Sequence, residues 1–288
     1  MNSICKLPKH EQKLILAHVL KLDYSKTLDP RIISQISLKQ QTKINKIVQK
    51  RFLGKPLQYI LQEAWFLGNN IKVKSGVFIP RPETEYLTAM FMDKVKAIIN
   101  LDQDLPVQDD FVIVDLCCGT GAIALALANE LSSSEIFQQN IKIFGIDSSK
   151  LAINLAKQNK KLLSLNNLQF YQYKLSDKLV KIENKLIANI ICRAKAIISN
   201  PPYIPLGSKI ADEVVNYEPP EALFSGYDGT HLAKAIIYQA GTNPCQYLYL
   251  EAHETNVEKL ADFAKNYFSN SEVVKDLTGR KRFLICQK

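Results

Sequence analysis

The sequence predicts an α/β protein: a doubly wound, mostly parallel β-sheet with an antiparallel strand at its C-terminal end, preceded by a small helical bundle. Three observations predict this fold. Apolar residues recur at helical spacing near the N-terminus, short apolar runs alternate with helical segments from residue 111 onward, and only a tight turn separates the last two runs. With 288 residues, 47% of them hydrophobic, the chain has room for a main core and a smaller one.

The helical bundle covers residues 1–62. Apolar side chains recur at helical spacing over 14–20 and again over 44–52. Leu28-Asp29-Pro30 is typical of a helix start with proline inside the first turn, and Gly54-Lys55-Pro56 is typical of a helix end followed by a new short helix. We therefore predict a separate helical domain at 1–62.

Positive charge is concentrated in the same part of the chain. Residues 1–66 contain twelve Lys and Arg against four Asp and Glu, a net charge of +8, whereas the whole chain has a net charge of +9. A basic module joined to a nearly neutral one suggests a surface for an acidic macromolecule, either protein or nucleic acid. A solvated, lysine-rich helical surface without a partner explains the charge equally well.

A β-hairpin is predicted after the bundle. Two apolar runs, 64–67 and 71–73, flank Gly68-Asn69-Asn70, which has the composition of a turn. We interpret residues 63–82 as a linker built around this hairpin, and we expect Trp65 to lie in the core.

Residues 83–288 form the predicted sheet domain. A helix is expected at about 83–99 and a polar surface loop at 101–110. The alternation then predicts strands near 111–116, 141–146, 168–173, 196–199 and 247–251, and helices near 121–132, 148–163, 230–241 and 255–267. The apolar run at 282–286 follows Val273 closely, so the chain is expected to end in two antiparallel strands.

Composition excludes several classes of protein. The longest apolar runs fall well short of the ~20 residues that a membrane-spanning helix needs, and no secretory signal precedes the bundle, so a cytoplasmic protein is expected. Six cysteines occur without a C-x-x-C pair and only four histidines are present, so no metal site is expected. Reduced thiols are the simplest interpretation of the cysteines.

The first strand of the sheet domain leads into a glycine-containing loop. It runs Asp115-Leu116-Cys117-Cys118-Gly119-Thr120-Gly121, and a helix follows directly. Two glycines let the backbone turn tightly and approach a ligand where a Cβ would collide. With Ala124 the loop also satisfies the G-x-G-x-x-G/A pattern of dinucleotide-binding enzymes, so the loop alone does not identify the ligand.

Two acidic residues narrow the choice of ligand. Asp115, at the mouth of the loop, suits a cation and disfavours a neighbouring pyrophosphate. S-adenosyl-L-methionine carries a sulfonium and an ammonium group and no phosphate. The second strand ends at Asp147, whose carboxylate can accept hydrogen bonds from both hydroxyls of a ribose. Capping of a helix is the alternative role for either residue.

A second loop carries the candidate catalytic residues. The strand near 196–199 delivers Asn200, Pro201, Pro202 and Tyr203 to the carboxyl edge of the sheet, where open α/β sheets bind ligands. An amide or nucleobase NH2 group is a poor nucleophile because its lone pair is delocalised. If the Asn200 side-chain oxygen and the Pro201 carbonyl each accept one of its hydrogens, the lone pair can be turned towards a methyl carbon. Tyr203 would then lie against the flat face of the group. A proline-rich surface turn is the alternative.

The chain resembles the HemK/PrmC family, the release factor glutamine methyltransferases, over nearly its whole length. The resemblance rests on the two loops and on further segments: Gly54-Lys55-Pro56-Leu57-Gln58-Tyr59-Ile60, Ile79-Pro80-Arg81-Pro82-Glu83-Thr84-Glu85, Tyr217-Glu218-Pro219, Gly226-Tyr227-Asp228-Gly229 and Asp276-Leu277-Thr278-Gly279-Arg280-Lys281-Arg282. It implies a Rossmann-like class I methyltransferase fold and methylation of the glutamine in the Gly-Gly-Gln loop of class 1 peptide chain release factors. The segment around Arg81 and the helical domain are its specific part, since nucleic-acid methyltransferases carry motifs similar to Asn-Pro-Pro-Tyr.

The resemblance also implies roles for individual residues. Contact with S-adenosyl-L-methionine is implied for Cys117, Cys118, Gly119, Thr120, Gly121, Asp147 and Asn200, and contact with the substrate glutamine for residues 200–203. Asp177 and Lys178 follow the third strand where the family has an acidic residue and an aromatic one, so Lys178 departs from the pattern. The stretch 180–195 is also longer and more irregular than is usual before the tetrapeptide.

Arg81 and Glu85 have two possible roles. Either they contact the substrate, or they form a buried ion pair that fixes the hinge between the domains.

For the chain as a whole, the alternative function is a nucleic-acid amino-methyltransferase that binds its substrate through the basic bundle. A release factor is the expected partner, a nucleic acid is not expected but not excluded, no membrane is involved, and a monomer is expected.

Overall fold

The computed structural model describes residues 4–27, 31, 34–101, 110–132 and 141–288. The predicted helix start at Leu28-Asp29-Pro30 and most of the predicted loop 101–110 lie outside these residues. No helix within the described ranges is both long enough and apolar enough to cross a membrane.

The N-terminal part is helical, as predicted. It contains α1 (Lys9–Leu20), α2 (Leu38–Phe52) and the short α3 (Leu57–Leu61). Ser37 begins α2 with a capping box, because its hydroxyl accepts from the backbone N–H of Gln40 while the Gln40 side chain accepts from the backbone N–H of Ser37.

These helices have an apolar cluster of their own. Its buried members are Ile4, Leu7, Ile15, Leu16, Ile44, Val48, Leu57 and Leu61. Tyr59 lies on the same short helix but packs in the main core, and its hydroxyl donates to the carbonyl of Val77. The division at 62 stays a prediction, since α3 contributes side chains to both clusters.

The predicted hairpin is present, with its turn one residue earlier than expected. It consists of β1 (Glu63–Phe66) and β2 (Asn69–Lys72), joined through Leu67 and Gly68, both with positive φ. The expectation that Trp65 lies in the core is wrong: its side chain is 54% exposed. Successive strand residues face opposite sides, and Ala64 and Phe66 occupy the buried side.

The sheet domain begins with α4 (Pro82–Leu101) and contains a seven-stranded sheet. The strands are β3 (Phe111–Leu116), β4 (Ile141–Asp147), β5 (Leu168–Gln172), β6 (Ala194–Ser199), β7 (Tyr247–Glu251), β8 (Asn270–Lys275) and β9 (Lys281–Gln287). Their order is β5-β4-β3-β6-β7-β9-β8; β9 is antiparallel to both neighbours, and the other pairs are parallel. The predicted fold class is therefore confirmed.

Helices cover both faces of this sheet. They are α5 (Ala122–Ser132), α6 (Lys150–Leu162), α7 (Lys185–Arg193), α8 (Asp212–Tyr217), α9 (His231–Thr242) and α10 (Val257–Ala264). Two large apolar clusters result, one on each face, and the central strands β3 and β6 contribute to both. Chain order reverses between β3 and β6, and ligands of open α/β sheets bind at such a switch point.

Two of these helices were not predicted. The stretch 180–195, interpreted as irregular, contains α7, which Asn184 caps and which buries Ile187, Ile190 and Ile191. Nine residues with three isoleucines on one face pack well against the sheet despite modest helix propensity. The short α8 contributes no fully buried side chain, so its sequence shows little periodicity.

Candidate functional site

The two predicted loops leave neighbouring strands side by side. In the parallel register of β3 and β6, Leu116 is opposite Ser199, and the Ser199 hydroxyl donates to the Leu116 carbonyl at 2.6 Å. Cys117 and Asn200 are therefore the first residues beyond the sheet on adjacent strands. Paired strands lie about 4.8 Å apart, so the two loops begin within one strand spacing of each other.

The loop 117–121 is tightly turned and closely packed. Cys117, Gly119 and Gly121 have φ values of 61°, 54° and 82°, in the left-handed region. A Cβ at Gly121 would lie 2.7 Å from a ring carbon of Phe170, so the loop needs glycine there for space as well as conformation. Burial raises the pKa of both Cys117 and Cys118, so their thiols stay protonated.

Asn159 of α6 fastens this loop to the hairpin. Its side-chain oxygen accepts from the backbone N–H of Lys72 at 2.8 Å, and its amide nitrogen donates to the carbonyls of Lys72 at 3.0 Å and Thr120 at 3.1 Å. The side chain is 1% exposed, so these contacts are shielded from water. One residue thus connects the end of β2 to the glycine-containing loop.

Asp115 lies completely inside the protein with half of its carboxyl group unpaired. It is 0% exposed, and its Oδ2 accepts from the backbone N–H of Ala124 at 3.2 Å. Its Oδ1 is the one buried side-chain nitrogen or oxygen among the described residues without a hydrogen-bond partner. Burial, and secondarily the nearby charge of Asp147, raise the pKa of Asp115 well above its usual range. The helix-capping alternative accounts for Oδ2 but not for Oδ1.

Asp147 accepts hydrogen bonds from two backbone N–H groups, and its ribose-binding role stays a prediction. Its Oδ2 accepts from the backbone N–H of Gly119 and its Oδ1 from that of Ser149, each at 2.8 Å. Burial raises its pKa, and these hydrogen bonds oppose the rise. Each carboxylate oxygen has room for a second donor. Asp147 therefore shapes the loop and retains acceptor capacity for a ligand.

Asp177 and Lys178 lie exposed in the segment after β5. Neither side chain has a hydrogen-bond or ion-pair partner among the described residues, and the Lys178 backbone N–H donates to the Ser176 hydroxyl at 3.2 Å. Their assignment to a cofactor stays a prediction.

Residues Asn200, Pro201, Pro202 and Tyr203 form one wall of a pocket with a volume of about 170 Å³. Other lining residues include Phe78, Arg81, Ile204, Ile210, Val214 and Leu223. The Asn200 side-chain oxygen and the Pro201 carbonyl accept no hydrogen bond from any residue that the structure describes. The structure thus brings the predicted catalytic residues together at a concave surface.

The segment after the tetrapeptide is held by a small ladder outside the sheet. Ile204 pairs in parallel with Phe224, and the N–H of Ile204 donates to the carbonyl of Leu223 at 2.9 Å. Gly229 packs against the tetrapeptide itself: a Cβ there would lie 2.2 Å from the Tyr203 carbonyl oxygen. This contact explains why the segment Gly226-Tyr227-Asp228-Gly229 needs a glycine at its end.

A buried carboxyl group behind the tetrapeptide was not predicted. Glu251, at the end of β7, is 0% exposed and accepts from the Thr84 hydroxyl at 2.8 Å and from the Tyr203 hydroxyl at 3.1 Å. Thr84 in turn accepts from the Asn200 side-chain nitrogen at 2.8 Å. Burial raises the pKa of Glu251 to about 7, against the lowering effect of these hydrogen bonds and of Arg282.

Arg282 is itself held in place from the turn between β8 and β9. Its Nε donates to Asp276 at 2.9 Å, and Asp276 also accepts from Thr278 and from the backbone N–H of Arg280. Burial alone would raise the pKa of Asp276, but these hydrogen bonds hold it well below its usual range. The late motif thereby places a fixed positive charge near Glu251 and Tyr203.

Arg81 and Glu85 do not form the ion pair considered for them. Arg81 pairs with Glu218, which is 4% exposed and also accepts from the backbone N–H of Ile79 at 3.3 Å. Arg81 lines the pocket, so a substrate role for it stays open as a prediction. Glu85 is absent from the pocket lining, and burial raises its pKa against the lowering effect of the backbone N–H of Leu67 in the hairpin turn. Its substrate role gains no support.

Comparisons with known proteins agree with this geometry. A family model described as a methyltransferase domain matches residues 108–260. The chain is 34% identical to a release factor glutamine methyltransferase of Thermodesulfovibrio yellowstonii, covering 96% of this chain and 92% of that protein. It is 34% identical to a protein of the same name from Fusobacterium nucleatum, covering 98% and 73%, and 30% identical to one from Coxiella burnetii, covering 100% and 95%.

Solved structures show the same fold at much lower sequence identity. The hMettl16 catalytic domain in complex with MAT2A 3′UTR hairpin 6 has a TM-score of 0.53 and 13% identity, covering 77% of this chain and 76% of that one. At this identity the likeness concerns the fold alone. The assignment to a family rests on the relatives that match nearly the whole chain and on the methyltransferase-domain model that matches residues 108–260. The chain belongs to the release factor glutamine methyltransferase family.

Proposed function

We propose that this enzyme transfers a methyl group from S-adenosyl-L-methionine to the side-chain amide nitrogen of the glutamine in the Gly-Gly-Gln loop of class 1 peptide chain release factors. The observation that supports this most is that loops 117–121 and 200–203 leave adjacent strands side by side. The names of the relatives supply the substrate class.

The residues around loop 117–121 fit the proposed cofactor. The unpaired Oδ1 of Asp115 is a buried acceptor, which suits a cationic donor such as an ammonium group. Asp147 has acceptor capacity for ribose hydroxyls, and the glycines leave space for a ligand close to the backbone. When bound, S-adenosyl-L-methionine supplies a methyl carbon activated by its positive sulfur.

The pocket residues supply orientation. We assign the Asn200 side-chain oxygen and the Pro201 carbonyl as acceptors for the two hydrogens of the glutamine NH2 group. Both acceptors would become better partners as positive charge develops on the nitrogen, which favours the transition state over the ground state. Tyr203 and Pro202 would lie against the planar amide. Arg81, which also lines the pocket, is available to contact the peptide chain.

The N-terminal domain, residues 1–62, is proposed to dock the release factor, with 63–82 as the linker and 83–288 as the methyltransferase domain. Its net positive charge suits an acidic surface on the partner. A cytoplasmic location and a monomeric state remain predictions from the sequence. No specific observation favours the nucleic-acid alternative, which becomes an outcome of the test.

The test incubates the protein with methyl-labelled S-adenosyl-L-methionine and either a release factor or total RNA. Label is expected on the factor, at the loop glutamine when the product is mapped by mass spectrometry. A factor with that glutamine replaced by alanine is the matched control and should stay unlabelled. Label on RNA with an unlabelled factor would replace the proposal by the nucleic-acid function.

A further inference from the structure

A chain of hydrogen bonds runs from the pocket into the core behind it. The Asn200 side-chain nitrogen is 2.8 Å from the Thr84 hydroxyl oxygen, which is 2.8 Å from Oε2 of Glu251. Thr84 and Glu251 are 4% and 0% exposed, so water does not compete for these contacts. The chain joins the first turn of α4, the end of β6 and the end of β7.

The hydroxyl of Thr84 has one proton, and its position decides which way the Asn200 amide faces. In its charged form, which the hydrogen bonds from Thr84 and Tyr203 and the charge of Arg282 favour, Glu251 only accepts, so Thr84 must give its proton to Glu251. Its oxygen can then only accept from Asn200. The amide nitrogen must therefore face Thr84, and the amide oxygen must face the pocket.

We propose that Thr84 and Glu251 are positioning residues that fix the orientation of the Asn200 amide, so that an acceptor rather than a donor meets the NH2 group of the substrate. The inference rests on the proposed function and deepens it. A flipped amide would direct its own NH2 group at the substrate NH2 group, two donors facing each other. The pocket would then hold the substrate nitrogen through the Pro201 carbonyl alone.

Glu251 holds the aromatic member of the tetrapeptide through its other oxygen. Oε1 accepts from the Tyr203 hydroxyl at 3.1 Å, so one carboxylate fixes both ends of the tetrapeptide. Arg282 favours the charged form of this carboxylate, whereas Glu83 disfavours it. With Thr84 and Tyr203, these are the groups that face Glu251 from α4, the tetrapeptide loop and β9.

The first test replaces Thr84 by valine, which keeps the shape but removes the hydroxyl. With a release factor as substrate, kcat should fall by about tenfold, the equivalent of roughly 1.4 kcal/mol, while KM for the factor and the affinity for S-adenosyl-L-methionine change by less than about twofold. Thr84→Ser retains a hydroxyl and should restore most of the turnover. A purely structural role would not separate kcat from KM in this way.

Thr88 offers a matched control. It lies one turn further along α4, is 0% exposed and donates its hydroxyl to the Thr84 carbonyl at 2.7 Å, but it does not contact Asn200. Thr88→Val should leave kcat within about twofold of wild type. An equal loss in T84V and T88V would mean that any buried hydroxyl of α4 matters equally, and the inference would be abandoned.

Glu251→Gln keeps the inference testable if T84V fails to fold. A glutamine amide can donate to Thr84, which frees the Thr84 proton for Asn200 and removes the orientation rule. E251Q should therefore also lower kcat with little change in KM, and the double variant T84V/E251Q should lose no more than the worse single variant. Wild-type kcat in folded E251Q would overturn the inference. A wild-type enzyme that leaves the factor unlabelled would instead contradict the proposed function.

Discussion

Replacement of Asp115 by asparagine should make the protein more stable and bind its cofactor less tightly. Asparagine has nearly the same shape, and its oxygen can still accept from the backbone N–H of Ala124. The change removes the ionisation of a carboxyl group that has no water contact and an unpaired oxygen. If that oxygen binds the cofactor, it lowers the stability of the protein as long as no cofactor is bound.

The magnitude follows from the cost of a buried, unsatisfied polar group. Ionising such a group costs at least about 1–3 kcal/mol, and asparagine avoids this cost because it does not ionise, so we expect a gain of about 1–2 kcal/mol at about pH 8. For a domain of this size the gain corresponds to a rise in Tm of about 2–8 °C. Affinity for S-adenosyl-L-methionine should fall by about 10- to 100-fold, because a charge-assisted contact is worth roughly 1.5–3 kcal/mol.

The pH dependence has a definite sign. Because burial raises the pKa of Asp115, the folded protein holds a proton that the unfolded chain releases at about pH 4. The wild type therefore loses stability as the pH rises from about 4 through the raised pKa, and the variant lacks this loss. The advantage of Asp115→Asn should be near zero at about pH 4 and largest at about pH 8.

Thermal unfolding without cofactor measures the first effect, and calorimetric titration measures the second. Asp262→Asn is the control, since Asp262 lies on the surface of α10 and is exposed, and it should change neither quantity. Lower stability of the Asp115 variant at pH 8 would refute the reasoning about burial. Higher stability with unchanged affinity would leave Asp115 as a burial cost with no part in cofactor binding.

Three further predictions concern other parts of the proposed machinery. Asp147→Ala should lower the affinity for S-adenosyl-L-methionine at least tenfold by calorimetry, because it removes the two proposed ribose acceptors and the hydrogen bond from the Gly119 backbone N–H; unchanged affinity in a folded variant would contradict the assignment. Asn200→Ala should lower kcat by ~10²-fold while cofactor affinity largely survives, and near-normal turnover would make the tetrapeptide a structural turn. Replacing the exposed Lys43, Lys46 and Lys50 of α2 by glutamine should lower kcat/KM for the intact factor by about tenfold and leave a short glutamine peptide unaffected; an equal effect on both would argue against docking through this surface.

The fold and both loops could be predicted because their signals are local. Glycines that follow one apolar strand and prolines that follow another restrict the backbone locally, so each turn can be predicted from a few residues. The same local reasoning failed for Trp65, because a strand of four residues does not reveal which face is buried. It also missed α7, where three isoleucines pack against the sheet in a helix that has few strong helix formers.

Partners far apart in the chain could not be predicted from spacing. Thr84 and Glu251 are 167 residues apart, and Arg81 and Glu218 are 137 apart, so only the tertiary fold brings the members of each pair together. The late Asp276 motif was recognised by resemblance, but its effect on Arg282 depends on the turn between β8 and β9. Long-range pairs of this kind determine the charges and hydrogen bonds behind the tetrapeptide. The sequence motifs predict only where the two loops lie.

The hydrogen bonds of Asn159 have a consequence for the coupling between the hairpin and the glycine-containing loop. Its three hydrogen bonds are divided between Lys72 of the hairpin and Thr120 of the glycine-containing loop. A planar amide cannot follow one partner without changing its distance to the other, so movement of the hairpin and movement of the loop are not independent. Linkage makes such a connection reciprocal. If displacement of the hairpin weakens ligand binding in the loop by a given free energy, a ligand bound in the loop opposes that displacement by the same free energy. The Asn159 side chain thereby couples the hairpin, which follows the helical domain, to the loop proposed to hold the cofactor.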